Sequence, residues 1–242
     1  MAVFFNEKDN NRALSQADLL QLQGVSPFFK DEDGREVVQI DCMLFLVSEL
    51  SLFGFTGNKW PSGKVYYSFD SNVTEQNQNR FLAACKEWSD VADIEFIERT
   101  NQTNYIHVKS DSGNSSFVGM IGGKQLLKIY NWNRKFIIAH EIGHALGLSH
   151  EQARGDRDTF VKINSGNIIP GKEHNFNKRT TTNYSTYDFA SIMHYGQYAF
   201  SRNNLPTIEA QPDYEEHEDD MGNRSYMTSR DAAGMSSRYG AP

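Results

Sequence analysis

Cysteine is scarce. Cys42 and Cys85 are the two that the 242 residues contain, which excludes a multi-disulfide framework. Apolar runs are short, none approaching the roughly 20 residues of a membrane span. Positive charge is not in excess: a net charge of −7 gives no electrostatic reason to expect nucleic acid as a partner. The opening Met1-Ala2-Val3-Phe4-Phe5 is too short for the apolar part of a signal peptide, and charged residues follow at once. A secreted protein whose signal is gone fits that beginning, and so does a cytosolic one. No internal repeat is visible. What remains is an ordinary globular composition, long enough for one large domain or two modest ones.

Periodicity divides the chain. Residues 1–56 read as a separate unit, with a short helix over Ser15–Leu22, a turn at Asp31-Glu32-Asp33-Gly34 and an extended Val37–Ile40. Trp60-Pro61-Ser62-Gly63 is a turn opening the main unit, residues 57–242. Val65–Phe69 then reads as a strand, and Phe81, Ala84, Cys85 and Trp88 share one helical stripe, making Cys85 a buried small hydrophobe. Ile94–Ile97 and Tyr105–Val108 alternate as half-buried strands. Ser116–Ile121 and Gln125–Tyr130 lead into an apolar helix ending at His144. Beyond His150 regular patterns thin out. Asp156-Arg157-Asp158 and Lys178–Thr186 read as loops, and Asp213–Asp220 as a solvated acidic loop, with calcium binding as the minor alternative. A last helix starts at Thr228, has Asp231 at its third position, and buries Ala232, Met235 and Tyr239.

The chemistry is concentrated in His140-Glu141-Ile142-Gly143-His144-Ala145-Leu146-Gly147-Leu148-Ser149-His150. Histidines four apart on a helix project from one face, one turn above the other, so both reach a single metal ion. Glu141 falls beside that ion and can accept a proton from water. Gly147, lacking Cβ, lets the chain leave the helix sharply and bring back His150 as a third ligand. A fourth position open to water distinguishes a catalytic zinc site from a structural one. The alternative is an apolar buried helix holding two histidines and a glutamate without metal, at several kcal/mol of unrelieved desolvation.

The string His140…His144…Gly147…His150 resembles the metzincin signature, and Glu151 directly after the third histidine resembles the astacin family. Ser191-Ile192-Met193-His194-Tyr195 matches the astacin methionine turn. Ser116-Phe117-Val118-Gly119, Asp156-Arg157-Asp158, Tyr195-Gly196 and Ala199-Phe200-Ser201 are further similarities, so the likeness covers roughly residues 58–240. Cysteines for the two disulfides of animal members are missing, and Asn114 stands where one of them usually lies. In this the chain resembles the bacterial secreted, myroilysin-like type.

The resemblance implies an α+β, two-lobed zinc metalloendopeptidase with its cleft between the lobes. The upper lobe (about 57–147) would hold a twisted mixed sheet and helices, and the lower lobe (about 148–242) would be mostly irregular with a final helix. Met193 would form an apolar floor beneath the metal. Tyr195 would ligate zinc at rest and stabilise the oxyanion during catalysis. Ser116–Ile121 would be the cleft edge that pairs with extended peptide. Substrates would be proteins or peptides, and Lys or Arg near residues 172–202 would supply charge for acidic side chains. The leading expectation is one catalytic zinc ion and water-driven hydrolysis by a secreted enzyme. A silent peptide-holding protein and a zinc hydrolase of non-peptide amides are the competing classes.

Residues 1–56 then resemble a propeptide, removed by an activating protease at a cut between Cys42 and Trp60 so that the new N-terminus is buried near Glu151. The Phe-x-Gly-Asp motif that blocks zinc in animal members is missing. Cys42 is the expected substitute, because a thiolate is a strong zinc ligand and displaces water. Asp41 is the runner-up, with Asp31 and Asp33 behind it. The alternative for Cys42 is an ordinary half-buried cysteine beside Leu44 and Phe45.

Overall fold

The computed structural model describes residues 28–47, 58–179 and 181–242; the helix expected over Ser15–Leu22 lies outside them. In the main unit, strands β4 (Lys64–Phe69), β5 (Glu95–Glu98), β6 (Tyr105–Ser110), β7 (Ser115–Phe117) and β8 (Lys124–Ile129) form one sheet. Their register is parallel except where β7 runs antiparallel to β8. Period-two alternation sorts the faces. Val65, Tyr67, Ile106, Val108, Leu127 and Ile129 point inward, against helices α1 (Glu75–Ser89) and α2 (Lys135–Ala145).

Thr74 caps α1 by accepting from the Asn77 amide, and the helix buries Phe81, Ala84, Cys85 and Trp88, the stripe read from sequence. Helix α2 is buried from Ile138 to Ala145, as a core helix must be, with His140, Glu141 and His144 as its polar members. Its C-terminal carbonyls, unsatisfied within the helix, are taken up by side chains. Trp60 Nε1 donates to Ala145 O at 2.8 Å, and Arg238 Nε and Tyr239 Oη donate to Leu146 O at 2.9 and 3.0 Å.

The first unit is not separate in space. Strands β1 (Phe28–Lys30), β2 (Glu36–Ile40) and β3 (Met43–Leu46) extend the sheet to eight strands, ordered β1-β2-β3-β7-β8-β6-β4-β5. β3 lies parallel to β7, with Met43 opposite Ser116 and Leu44 opposite Phe117. The edge expected to pair with extended peptide thus pairs with the chain's own segment. Alternation along β2 and β3 buries both faces. Val37, Leu44 and Leu46 meet Phe117 and Ile121, while Val38, Ile40, Met43 and Phe45 meet Val118.

Past His150 the backbone is mostly irregular, with short 3-10 turns and one two-stranded ribbon, β9 (Val161–Ile163) with β10 (Ile208–Ala210). Aromatic packing replaces regular structure: Phe176, Tyr187, Phe189 and Tyr195 share a core joined by Phe160, Phe200 and Tyr214. Asp213–Asp220, expected as a loop, lies in a 3-10 run over Pro212–Asp220, because a proline at its first turn presets helical φ. Helix α3 (Ser229–Tyr239) starts at Thr228 in a capping box with Asp231. It buries Met235 and Tyr239 in the upper-lobe core, while Ala232 is half-buried.

Candidate metal centre

Helix α2 carries His140 and His144 on one face, and their Nε2 atoms lie 3.1 Å apart. Gly147, at φ 104, turns the chain out of the helix, and His150 Nε2 arrives 3.3 Å from that of His140. The fourth corner is filled. Cys42 Sγ lies 3.5, 3.3 and 3.5 Å from the Nε2 atoms of His140, His144 and His150. Metal–nitrogen bonds of about 2.05 Å and a metal–sulfur bond of about 2.3 Å give tetrahedron edges of about 3.3 Å and about 3.6 Å. The four donor atoms therefore outline a zinc-sized tetrahedron. Among the described residues this is the one such cluster.

The surroundings prepare these donors. His140 Nδ1 donates to Ile192 O at 2.6 Å and His144 Nδ1 to Leu148 O at 2.7 Å, which leaves each Nε2 its lone pair. Burial holds all three imidazoles well below their usual pKa, His144 at about 3, so they are neutral as ligands must be. Burial, with the charges of Glu141 and Asp41, pushes the Cys42 thiol up, so its thiolate needs a cation. Glu141 is buried beside the cluster, Oε2 has no hydrogen-bond partner among the described residues, and burial raises its carboxyl far above the usual range.

Cys42 and Asp41 form the tight turn between β2 and β3, with Ile40 opposite Met43 and Asp41 in the left-handed region at φ 54. Asp41 Oδ2 accepts from Tyr195 Oη at 2.8 Å. The Tyr195 ring packs on His150, centroids 4.6 Å apart. Its phenol, expected on the metal at rest, donates to Asp41 in this structure.

The family model for Astacin, a family of peptidases, matches residues 54–240. The chain belongs to the astacin family. It is 36% identical over 201 residues to the zinc metalloproteinase nas-14 of Caenorhabditis elegans, covering 79% of this chain and 39% of that protein. It is 32% identical over 219 residues to the low choriolytic enzyme of Oryzias latipes, covering 85% of this chain and 81% of that one. The chain thus spans about two fifths of nas-14 and most of the choriolytic enzyme. The structure of high choriolytic enzyme 1, a hatching enzyme zinc-protease from the same fish, superposes with a TM-score of 0.71 at 35% identity, over 77% of this chain and 95% of that one. Myroilysin superposes at 0.55 with 22% identity, over 75% of this chain and 95% of that one, a likeness of fold. The fold is the α+β metzincin arrangement, and a single zinc ion is the cofactor of this family of metalloproteinases.

Several residues have contacts in this astacin site that the sequence did not show. Asp231, half the capping box of α3, also accepts from Ser191 Oγ at 2.5 Å and from the Ile192 amide at 3.1 Å. It thereby holds the carbonyl that orients His140. Gln152 Oε1 accepts from the Tyr195 amide at 3.1 Å. Met193 packs under α2, and a Cβ at Gly143 would meet its Sδ at 3.0 Å and Trp88 at 3.1 Å, so that glycine sets the floor's height. Glu151 accepts from Arg154 Nη1 at 2.8 Å and from the Asp188 amide at 3.0 Å, and burial lifts its pKa to about 7. Asn114 bridges the Tyr130 and Asn131 amides with Oδ1. Of the cations expected near the cleft, Lys172, Lys178 and Arg202 are exposed, whereas Arg179 is buried with its guanidinium over the Phe45 ring. Cys42 and Cys85 are both free thiols.

Proposed function

We propose that this chain is a latent zinc endopeptidase. Residues 1–56 are its propeptide, residues 57–242 its catalytic unit, and the sulfur of Cys42 closes the fourth zinc position until an activating protease cuts between Cys42 and Trp60. The observation that carries the reading is Cys42 Sγ at 3.3–3.5 Å from three histidine nitrogens. The pairing of β3 with β7 supports it, since a strand there excludes substrate from the same edge.

His140, His144 and His150 would hold the ion, which supplies Lewis acidity that acidifies water and polarises the scissile carbonyl. Glu141 takes the proton of the attacking water and delivers it to the leaving amine. Once β3 and Asp41 are gone, Tyr195 is free to donate to the oxyanion of the tetrahedral intermediate. Met193 and Gly147 keep the helix and its following turn in place. Glu151 takes a new partner when the processed N-terminus arrives. Arg179, uncovered with the loss of Phe45, and Arg224, whose charge acts on Glu141 and Cys42, are the cleft cations for acidic substrate side chains.

The myroilysin-like, secreted assignment is supported by the missing cysteine pairs. Among the described residues no helix is long and apolar enough to cross a membrane. The test is mass spectrometry of the zinc-loaded chain before and after limited trypsin treatment, with a casein assay of both. A cut between Cys42 and Trp60 that leaves casein untouched refutes the latent-enzyme reading.

A further inference from the structure

The acidic turn between β1 and β2 is seated on the catalytic unit. Lys109 Nζ lies 2.6 Å from Glu32 Oε1, and Lys124 Nζ lies 3.3 Å from Asp33 Oδ1 and 3.7 Å from Glu32 Oε2. Both lysines stand on the outer face of the sheet, away from α1 and α2, since the register places Tyr105 beside Lys124 and Lys109 beside Lys128. Lys128 is paired within the catalytic unit to Asp111 at 2.9 Å. Among the described residues, Lys109 and Lys124 make ion pairs with the turn alone. The same face carries Phe117 and Ile121, packed on Val37, Leu44 and Leu46. Loss of residues 28–47 uncovers two cations beside two apolar side chains.

We propose that this face, built from Lys109, Lys124, Phe117 and Ile121, is a docking surface outside the catalytic cleft for an acidic, apolar-flanked stretch of a protein substrate. The turn Asp31–Gly34 is its occupant in the latent chain. The inference rests on the reading of residues 28–47 as a segment that leaves on activation. Lysine ammonium groups are point charges on flexible stems, so they select charge rather than sequence. Ion pairs at such exposure are individually weak and screened beyond about 10 Å at moderate salt. Docking is therefore reversible and salt-sensitive. It raises the effective concentration of a long substrate at the cleft and does nothing for one that spans the cleft alone.

The zinc-loaded chain, cut between Cys42 and Trp60, is compared with Lys109→Glu/Lys124→Glu cut in the same way. Casein, an acidic protein, and a short quenched peptide serve as substrates. Expected is a loss of about fivefold in kcat/KM on casein, carried by KM, with the short peptide cleaved as before. A labelled peptide of residues 28–40, which stops before Asp41 and Cys42, binds the cut chain by fluorescence anisotropy and is released by salt. Its Glu32→Lys/Asp33→Lys version does not bind. Equal losses on both substrates, binding indifferent to the reversed charges, or inhibition of the short peptide as strong as that of casein would each overturn the proposal. If cutting activates nothing, the latent-enzyme reading fails by itself. The surface is then decided on the cut, inactive chain after gel filtration has removed the released segment: there the labelled peptide binds at low salt, and no binding there overturns it.

Discussion

Tyr195 donates its phenolic proton to Asp41 at 2.8 Å, while Cys42, the next residue, sets its sulfur against the three ligand histidines. In the proposed reading, one two-residue turn thus occupies two positions that catalysis needs, the fourth metal corner and the oxyanion donor. A strand pairing with β7 fixes where that turn stands. The first two expectations below separate those roles.

Replacing the thiol should unmask activity. Cys42→Ala removes the fourth donor and leaves β3 in the cleft, so the uncut variant should cleave a short peptide faster than the uncut wild type. With cobalt in place of zinc, the wild type should show a thiolate-to-metal charge-transfer band that Cys42→Ser lacks. An uncut Cys42→Ala chain as inactive as before assigns the block elsewhere, to Asp41 first.

Tyr195→Phe keeps the ring that packs on His150 and removes the hydroxyl. In the cut enzyme kcat should fall about a hundredfold with little change in KM, as for loss of one oxyanion donor. An unchanged kcat confines Tyr195 to the latent form.

Glu141→Ala should keep its zinc and lose most activity, by about 10²–10⁴-fold. Metal content by atomic emission, measured on the same samples as the cleavage rate, makes the comparison. Full activity with a full complement of zinc would falsify the role of Glu141 as base.

His194 adds an acid-sensitive element to the lower lobe. Burial lowers its pKa to about 4, and its ring sits between Tyr187 Oη at 2.7 Å and Tyr195 O at 2.6 Å. An unfolded histidine takes up its proton near about 6.5, so acid favours the unfolded chain. The contribution is fully present above that value and is lost as pH falls from 6.5 toward 4, by at most about 3 kcal/mol. Urea melts in chelator should show a flatter pH slope over that window for His194→Gln than for the wild type. Matching slopes reject the idea.

Gly147→Ala should destabilise the protein by about 1–3 kcal/mol and lower Tm by several degrees. The position needs φ 104, and a Cβ there would stand 2.5 Å from Arg238 Nη2. A differential scanning melt that overlays the wild type contradicts this.

Local rules located much of the molecule. The α1 stripe, the Thr228–Asp231 cap, the strand alternations and the ligand spacing each depend on residues within a few positions of one another, and each is present. The acidic 3-10 run was harder to read, because polar residues without apolar periodicity resemble a loop. The partners of the histidines were out of reach altogether. Ile192 O and Leu148 O are backbone groups, and every residue has one.

By itself the sequence determined which groups are brought together: three imidazoles and a carboxylate at helical and turn offsets, a donor set suited to a metal and a base. The tertiary structure alone decided which atom stands at the fourth corner. Cys42 is 98 residues from His140, and its placement follows from pairing β3 with an edge strand, where backbone hydrogen bonds recruit a segment without reading its side chains. The same long-range register set Glu32 and Asp33 on Lys109 and Lys124. Such contacts depend on how a sheet is ordered, and no periodicity along the chain encodes that order.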